Sequence, residues 1–108
     1  MSFQVANLSI QLVEALVPLM PRLKQRDKAL EDQLRRAASS IGLNVAEAEF
    51  SDPGNRRARL FTAAGSAGET RAALQLAVAW RLVSVREAEP AMVLLRRILA
   101  ILWKMTRG

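Results

Sequence analysis

The chain contains no cysteine, no histidine and no tyrosine, and only 5% of its residues are aromatic. Without cysteine it has no disulfide, no thiolate metal site and no cysteine nucleophile. Without histidine it lacks the commonest general base and the commonest transition-metal ligand. These absences argue against an ordinary hydrolase or oxidoreductase. We therefore predict a non-enzymatic protein with no catalytic residue, no metal and no cofactor.

Acidic residues are also in short supply. The 108 residues include 16 Lys and Arg against 10 Asp and Glu, which gives a formal net charge of +6. Such an excess favours an anionic partner, such as nucleic acid or an acidic surface, and carries no information about fold. The length suits a single domain spanning residues 1–108.

Long apolar runs are missing as well. Asn7, Gln11 and Glu14 interrupt the apolar stretch near the N-terminus, and Arg96 and Arg97 break the one near the C-terminus. Neither stretch therefore resembles a membrane span, and the first residues lack the positive region of a signal peptide. We expect a soluble cytoplasmic protein with no membrane partner.

Proline is scarce and lies near the ends of predicted helices. Pro18 and Pro21 predict the frayed end of a first helix. Asp52 followed by Pro53 has the residue types of an N-cap and a first helical position. Pro90 is placed in the first turn of the last helix, after a turn at 84–89. The predicted helices span about 3–20, 28–50, 53–83 and 88–105.

No sustained period-two alternation suggests a strand. Four helices joined by short connections predict an all-α, antiparallel up-down four-helix bundle. The first connection is expected to be a basic loop at 22–28. Its cations are Arg22, Lys24, Arg26 and Lys28.

The predicted helices have more apolar surface than one bundle needs. In the first helix the main polar residues occupy an arc of roughly 80°, and nearly all the rest is apolar. A bundle helix requires an apolar stripe only somewhat wider than about 100°. The surplus predicts a homo-oligomer, because large apolar patches are unusual on small soluble domains. The residues of the polar arc are Gln4, Asn7, Gln11 and Glu14.

Positive charge is concentrated on the outer face of the last helix. Arg96, Arg97, Lys104 and Arg107 fall within an arc of roughly 100° opposite the core stripe. They are the first predicted phosphate ligands for RNA or DNA. Trp103 borders this arc, either as a packing residue or as a platform for an unpaired base.

A second basic group lies at the start of the third helix and contains Arg56, Arg57 and Arg59. The helix macrodipole disfavours cations there, so local helix stability does not explain them. We predict that they also contact phosphates. The alternative is a solvated face that keeps an oligomer soluble. In an oligomer, repeated basic patches would raise the overall affinity.

Polar residues also line one side of the second predicted helix, next to its apolar row. With Ser66 and an inward-facing Glu69 from the third helix, they are predicted to form a polar network that fixes helix register. The alternative is a pocket in which Glu47 and Glu69 act as an acid pair or metal site. The network residues are Gln33, Arg36, Ser40, Asn44, Glu47, Ser66 and Glu69.

Gly65 and Gly68 lie inside the third predicted helix, where each glycine costs about 1 kcal/mol relative to alanine. Their small size predicts close packing against a neighbouring helix as compensation. A phosphate-binding P-loop is rejected, because the lysine and the following Ser or Thr of that motif are missing.

Two segments of the sequence, 32–47 (DQLRRAASSIGLNVAE) and 60–69 (LFTAAGSAGE), resemble a known family. The family is called four helix bundle protein and is also named for proteins encoded by intervening sequences of bacterial 23S ribosomal RNA genes. Its patterns read Q-x-x-R-A-x-x-S-I-x-x-N-I-A-E-G and F-L-x-x-A-x-G-S-x-x-E. The chain departs from the first at Val45 and at Ala48, where the family has glycine. The matching positions are Gln33, Arg36, Ser40, Ile41, Asn44, Glu47, Gly65, Ser66 and Glu69, and Phe61 lies two residues after the position of the pattern's Phe.

This resemblance implies a four-helix bundle that assembles into a ring, with a pentamer as the expected state. In the wider superfamily, accessory variability determinant proteins of diversity-generating retroelements bind a reverse transcriptase and nucleic acid. The leading hypothesis, motivated by the basic face of the last helix, is a non-enzymatic, homo-oligomeric accessory protein that binds RNA or DNA. The alternative is an oligomeric scaffold or adaptor whose partner is a protein, for example a reverse transcriptase.

Overall fold

The structure is a computed structural model that describes residues 2–107, with side chains from residue 4 onward. It confirms an all-helical bundle, 42 × 22 × 19 Å in extent, and residues 2–107 contain no strand. The helices are α1 (Ser2–Leu16), α2 (Met20–Arg26), α3 (Lys28–Glu49), α4 (Pro53–Ala79) and α5 (Val85–Arg107), with a 3₁₀ turn at Val17–Leu19. Because α1, the 3₁₀ turn and α2 follow one another without a break, they form the first rod of a four-helix bundle.

The first connection is shorter than predicted. Pro18 lies in the 3₁₀ turn and Pro21 in the first turn of α2, positions where the missing proline N–H removes no helical hydrogen bond. The chain therefore stays helical to Arg26, and the prediction of a basic loop at 22–28 is wrong. Asp27 alone separates α2 from α3, and its carboxylate accepts a 3.0 Å hydrogen bond from the Leu30 N–H.

The α3–α4 boundary is confirmed. The Asp52 carboxylate accepts a 3.0 Å hydrogen bond from the Asn55 N–H, which lowers the pKa of Asp52. Pro53 is the first residue of α4. Before this turn, α3 continues through the buried Ala48 to Glu49, as expected where alanine replaces the family's glycine.

The α4–α5 connection lies earlier than predicted at both ends. Arg81 has a left-handed φ of 63°, and the Leu82 N–H bonds to the Ala77 carbonyl oxygen at 2.9 Å, which ends α4 in a Schellman motif. Ser84 and Glu87 then form a reciprocal capping box, so α5 starts at Val85 instead of about 88. Pro90 is therefore inside the helix, beyond its first turn.

The core lies along the axis of the bundle, between α1, α3, α4 and α5. The predicted apolar row of α3 is buried, and so is the centre of the α5 stripe. Gly42 allows α1 and α3 to approach closely, because a Cβ at this position would lie 3.0 Å from Ser9 Oγ. The buried row of α3 comprises Leu30, Leu34, Ala37, Ile41, Val45 and Ala48.

Candidate nucleic-acid interface

The antiparallel packing of α4 and α5 brings two separate stretches of basic sequence together. Arg56, near the start of α4, and Lys104, near the end of α5, line one open depression of about 470 Å³. Gln4 of α1 contributes to the same depression. Its other lining residues, Leu60, Ile101 and Met105, are apolar. The two predicted basic groups therefore meet at the same end of the bundle.

Two exposed aromatic side chains lie at this end, each beneath an arginine of its own helix. The Arg107 guanidinium carbon is 5.0 Å from the ring centroid of Trp103, and that of Arg57 is 5.4 Å from Phe61. Such contacts are cation–π interactions. Trp103 nevertheless remains 58% exposed and Phe61 44% exposed. The i, i+4 spacing of each arginine and its ring is the sequence signal for these pairs.

The two aromatic residues also share a level along the bundle. Phe61 precedes the end of α4 at Ala79 by eighteen residues, and Trp103 follows the start of α5 at Val85 by eighteen. At a helical rise of 1.5 Å per residue, each lies about 27 Å from the α4–α5 connection. We call the end of the bundle that carries Arg56, Arg57, Phe61, Trp103, Lys104 and Arg107 the basic end.

The predicted phosphate ligands do not all share this environment. Arg96 pairs with Glu89 at 3.1 Å, and Arg59 pairs with Glu47 at 3.3 Å. These acidic partners offset the charge of both arginines locally. The other predicted ligands take part in no ion pair among residues 2–107: Arg56, Arg57, Arg97, Lys104 and Arg107. All but Arg97 belong to the basic end.

The predicted polar network is smaller than the sequence suggested. Ser66 Oγ donates a 2.8 Å hydrogen bond to Ser40 Oγ, which joins α4 to α3. Asn44 Nδ2 donates to the same Ser40 hydroxyl at 3.0 Å and to the Ser40 carbonyl oxygen at 2.9 Å. No buried side-chain nitrogen or oxygen in the described part of the chain lacks a hydrogen-bond partner. The network therefore consists of these three residues.

The remaining predicted members lie outside it. Gln33 is exposed, and Arg36 forms a surface ion pair with Asp32 at 3.1 Å. Glu69 is also exposed, so the prediction that it faces inward is wrong. The interior position on that turn of α4 belongs to Thr70, whose hydroxyl donates to the Ser66 carbonyl oxygen at 2.7 Å.

Glu47 and Glu69 do not form an acid pair. The Glu47–Arg59 ion pair aligns Glu47 with Arg59 on α4, and Glu69 lies ten residues further along that helix. This offset corresponds to about 15 Å along the axis. Within residues 2–107, no three acidic side chains are grouped so that they could hold a metal ion.

The loss of helix stability at Gly65 and Gly68 is not offset by close packing against another helix of the same chain. A Cβ added at either position would meet no atom within 4 Å. Leu76 and Trp80, two large apolar residues in and directly after α4, are 50% and 70% exposed. No helix of the described chain therefore packs against these glycines, and the outer face of α4 lies uncovered in the single chain.

A groove between the first rod and α3 was not predicted. It has a volume of about 440 Å³, and Val13, Val17 and Met20 are among its apolar lining residues. On the α3 side it reaches Glu31, whose side chain is only 6% exposed and accepts a 2.8 Å bond from Arg35. Nothing in the sequence around Glu31 distinguishes it from an ordinary surface carboxylate.

In the described residues, no helix combines the length and the apolarity that a membrane span requires.

Comparisons with known proteins agree with the fold. A model of the family described as 23S rRNA-intervening sequence protein matches residues 1–104. A crystal structure of a protein with unknown function, from the S23 ribosomal protein family of Bacteroides thetaiotaomicron VPI-5482, is similar with a TM-score of 0.88. The similarity covers 96% of this chain and 99% of that chain at 23% sequence identity, so it bears on fold alone. No curated protein matches the chain.

Proposed function

This chain belongs to the 23S rRNA-intervening sequence protein family, and we propose that it is a non-enzymatic homo-oligomer that binds RNA or DNA through its basic end. The observation that carries the proposal is the convergence of Arg56, Arg57, Lys104 and Arg107 at one end of the bundle. None of these four cations has an acidic partner within residues 2–107.

The electrostatics of the two helices support a phosphate ligand. Lys104 and Arg107 lie in the last turn of α5, where the macrodipole favours cations. Arg56 and Arg57 lie in the first turns of α4, where the same effect is unfavourable. An anion bound between the two helices would relieve that repulsion and would also gain the attraction of the α5 cations. Phosphate contacts of this kind give affinity with little sequence preference.

The uncovered apolar surfaces support assembly from copies of this chain. On α4, Gly65 and Gly68 face open space, and Leu76 lies exposed on the same helix. On α1, Ile10 and Val17 are each 59% exposed. Two separate apolar surfaces on one molecule are what a head-to-tail ring requires. The ring is proposed to be a pentamer, as the family resemblance implies.

The proposed function is tested by fluorescence anisotropy with labelled RNA and DNA oligonucleotides at low salt. In one variant, Arg56, Arg57, Lys104 and Arg107 are all replaced by Gln. The matched control loses the same charge at the other end of the bundle, with Lys24, Arg26, Lys28 and Arg86 replaced by Gln. We expect the first variant to lose most of the binding and the control to retain most of it. Equal loss in both variants would show that only net charge matters.

A protein-binding adaptor is the alternative function. Its signature would be a stable complex with a protein, for example a reverse transcriptase, that survives nuclease treatment. Such a complex would also persist in the variant that lacks the four cations of the basic end. Together with an absence of nucleic-acid binding by the wild-type chain, that result would replace the proposed function by the adaptor.

A further inference from the structure

We propose that the basic end selects single-stranded over double-stranded nucleic acid, with Trp103 and Phe61 stacking against unpaired bases. This inference rests on the proposed function and adds the class of ligand. It comes from the aromatic residues of the surface, whereas the proposed function comes from its cations.

Trp103 has the surroundings of a stacking residue. Its indole is 58% exposed, although α5 buries much of its other apolar surface. Arg107 lies over the ring at 5.0 Å, and Lys104 is the next residue in the chain. No acidic residue follows Glu89 in the sequence, so the charges that this part of α5 itself supplies near the indole are positive. A base that stacks there would have its phosphates next to positive charge.

Phe61 repeats this arrangement on the neighbouring helix. Its ring is 44% exposed beneath Arg57, at the same level along the bundle as Trp103. An arginine over one face of a ring leaves the remaining exposed area for a base. Aromatic side chains interspersed with arginine and lysine are the common composition of single-strand binding surfaces.

Duplex nucleic acid does not offer the same contact. Its bases are already stacked on one another, so their faces are inaccessible until a base is unstacked at a cost of a few kcal/mol. The cations of the basic end would still contact duplex phosphates, but the aromatic rings would find no base. Single-stranded nucleic acid should therefore bind more tightly than duplex by the contribution of stacking, about 1–3 kcal/mol per base.

The chain supplies its own control for the tryptophan. Trp80 is 70% exposed but lies at the end of α4 next to the α4–α5 connection, far from Phe61 and the start of that helix. Replacing Trp80 by Phe leaves Trp103 as the sole tryptophan, because the chain has only two. The fluorescence of this variant then reports on the basic end.

The experiment titrates the Trp80→Phe protein with a short oligouridine and with an RNA duplex of the same length at one ionic strength. We expect the single strand to quench Trp103 fluorescence and to bind more tightly than the duplex. Affinities of all variants are measured by anisotropy of the labelled RNAs; replacing Trp103 by Ala should lower single-strand affinity about tenfold and leave duplex affinity within about twofold. Trp103→Phe should restore most of the loss, and Trp80→Ala should change neither affinity. Light scattering on each variant monitors assembly.

The outcomes distinguish failure of base stacking from failure of nucleic-acid binding. Equal affinity for both ligands, unaffected by Trp103→Ala, would overturn the stacking proposal and leave the proposed function standing. If Trp103→Ala dissociated the oligomer and weakened both ligands equally, Trp103 would be an interface residue and the stacking proposal would be wrong. If the wild-type chain bound neither the single-stranded RNA nor the RNA duplex, and also bound no DNA, the proposed function itself would be wrong.

Discussion

Arg22 of α2 and Glu87 of α5 form a bidentate ion pair, with hydrogen bonds of 2.9 and 3.0 Å between the guanidinium and the carboxylate. Arg22 also donates to the Leu82 carbonyl oxygen at 3.3 Å, and Glu87 accepts from the Ser84 N–H at 2.9 Å. The pair therefore connects the first rod to the α4–α5 connection. Arg22 has a structural role that distinguishes it from the other cations near Asp27.

The Arg22–Glu87 pair predicts acid sensitivity. Hydrogen bonds from Arg22 and then from Ser84 lower the pKa of Glu87 from 4.5 to about 2. A carboxyl with a lowered folded-state pKa contributes stability that is present above the unfolded value and is lost as the pH falls through the folded value. We expect the free energy of unfolding to decrease as the pH drops from about 4.5 to 2, and Glu87→Gln to reduce this decrease.

Urea unfolding at a series of pH values measures the effect. Some pH dependence should persist in Glu87→Gln, because the pKa of Asp52 is lowered as well. Identical pH profiles for the wild type and Glu87→Gln would show that the pair contributes nothing.

The left-handed backbone at Arg81 predicts a stabilising substitution. A residue with a Cβ pays roughly 1–2 kcal/mol to adopt that conformation, whereas glycine does so readily. After allowance for the greater freedom of glycine in the unfolded chain, Arg81→Gly should raise the free energy of unfolding by about 0.5–1 kcal/mol. Urea denaturation measures this change in stability. The control is Arg71→Gly: Arg71 is exposed and lies in the middle of α4, where glycine should be destabilising. A loss of stability in both variants would refute the argument.

The Ser40–Ser66–Asn44 network predicts that Ser40→Ala destabilises the protein more than Ser39→Ala does. Ser40→Ala removes the hydroxyl that both partners bond, and leaves buried polar atoms of Ser66 and Asn44 with fewer partners. The expected loss is about 1–3 kcal/mol. The neighbouring Ser39 is exposed, so Ser39→Ala should stay within about 0.5 kcal/mol of the wild type. Thermal and urea unfolding of the two variants would contradict the account if they gave equal values.

The open space at Gly65 predicts that a large side chain at this position disrupts assembly without reducing the stability of the folded chain. Leucine there meets nothing within 4 Å of its Cβ in the single chain and gains helix propensity, so Gly65→Leu should fold at least as stably. In the proposed oligomer the same side chain would obstruct the neighbouring copy. By light scattering, we expect the wild type to have several times the 11.9 kDa chain mass and Gly65→Leu to have much less.

Ala29→Leu is the control for this experiment, since Ala29 is exposed on α3. It should assemble like the wild type. A monomeric wild-type chain would refute the proposed assembly, and a fully assembled Gly65→Leu protein would exclude this face of α4 from the interface.

Much of the fold was predictable because periodicity records which side of each helix is buried. The α3 row from Leu30 to Ala48 is buried as predicted, and the Asp52–Pro53 boundary holds. The errors occurred where local chemistry overrides simple rules. Proline was expected to end the first helix, but Pro18 and Pro21 occupy positions without a required N–H. The α5 start was misplaced although Ser84 and Glu87 have the spacing of a capping box.

The site was less predictable, because its composition depends on tertiary register. A helical wheel shows that Arg97 and Lys104 share a side of α5, but it does not show that Lys104 meets Arg56 across a depression. A helical wheel also does not decide which of two neighbouring residues at the edge of the buried stripe faces the core. Here Thr70 takes the interior position and Glu69 is exposed. The acidic partners of Arg59 and Arg96 depend on specific contacts between side chains.

The most direct test of nucleic-acid binding by the basic end is the salt dependence of single-stranded RNA affinity. Each phosphate contact to a single strand contributes a slope of about −0.7 to the plot of log affinity against log salt concentration. If Arg56, Arg57, Lys104 and Arg107 each contact a phosphate, replacing all four by Gln should make the slope shallower by about 3. A slope that is unchanged by this replacement, or a wild-type chain that binds no RNA or DNA at low salt, would contradict the account.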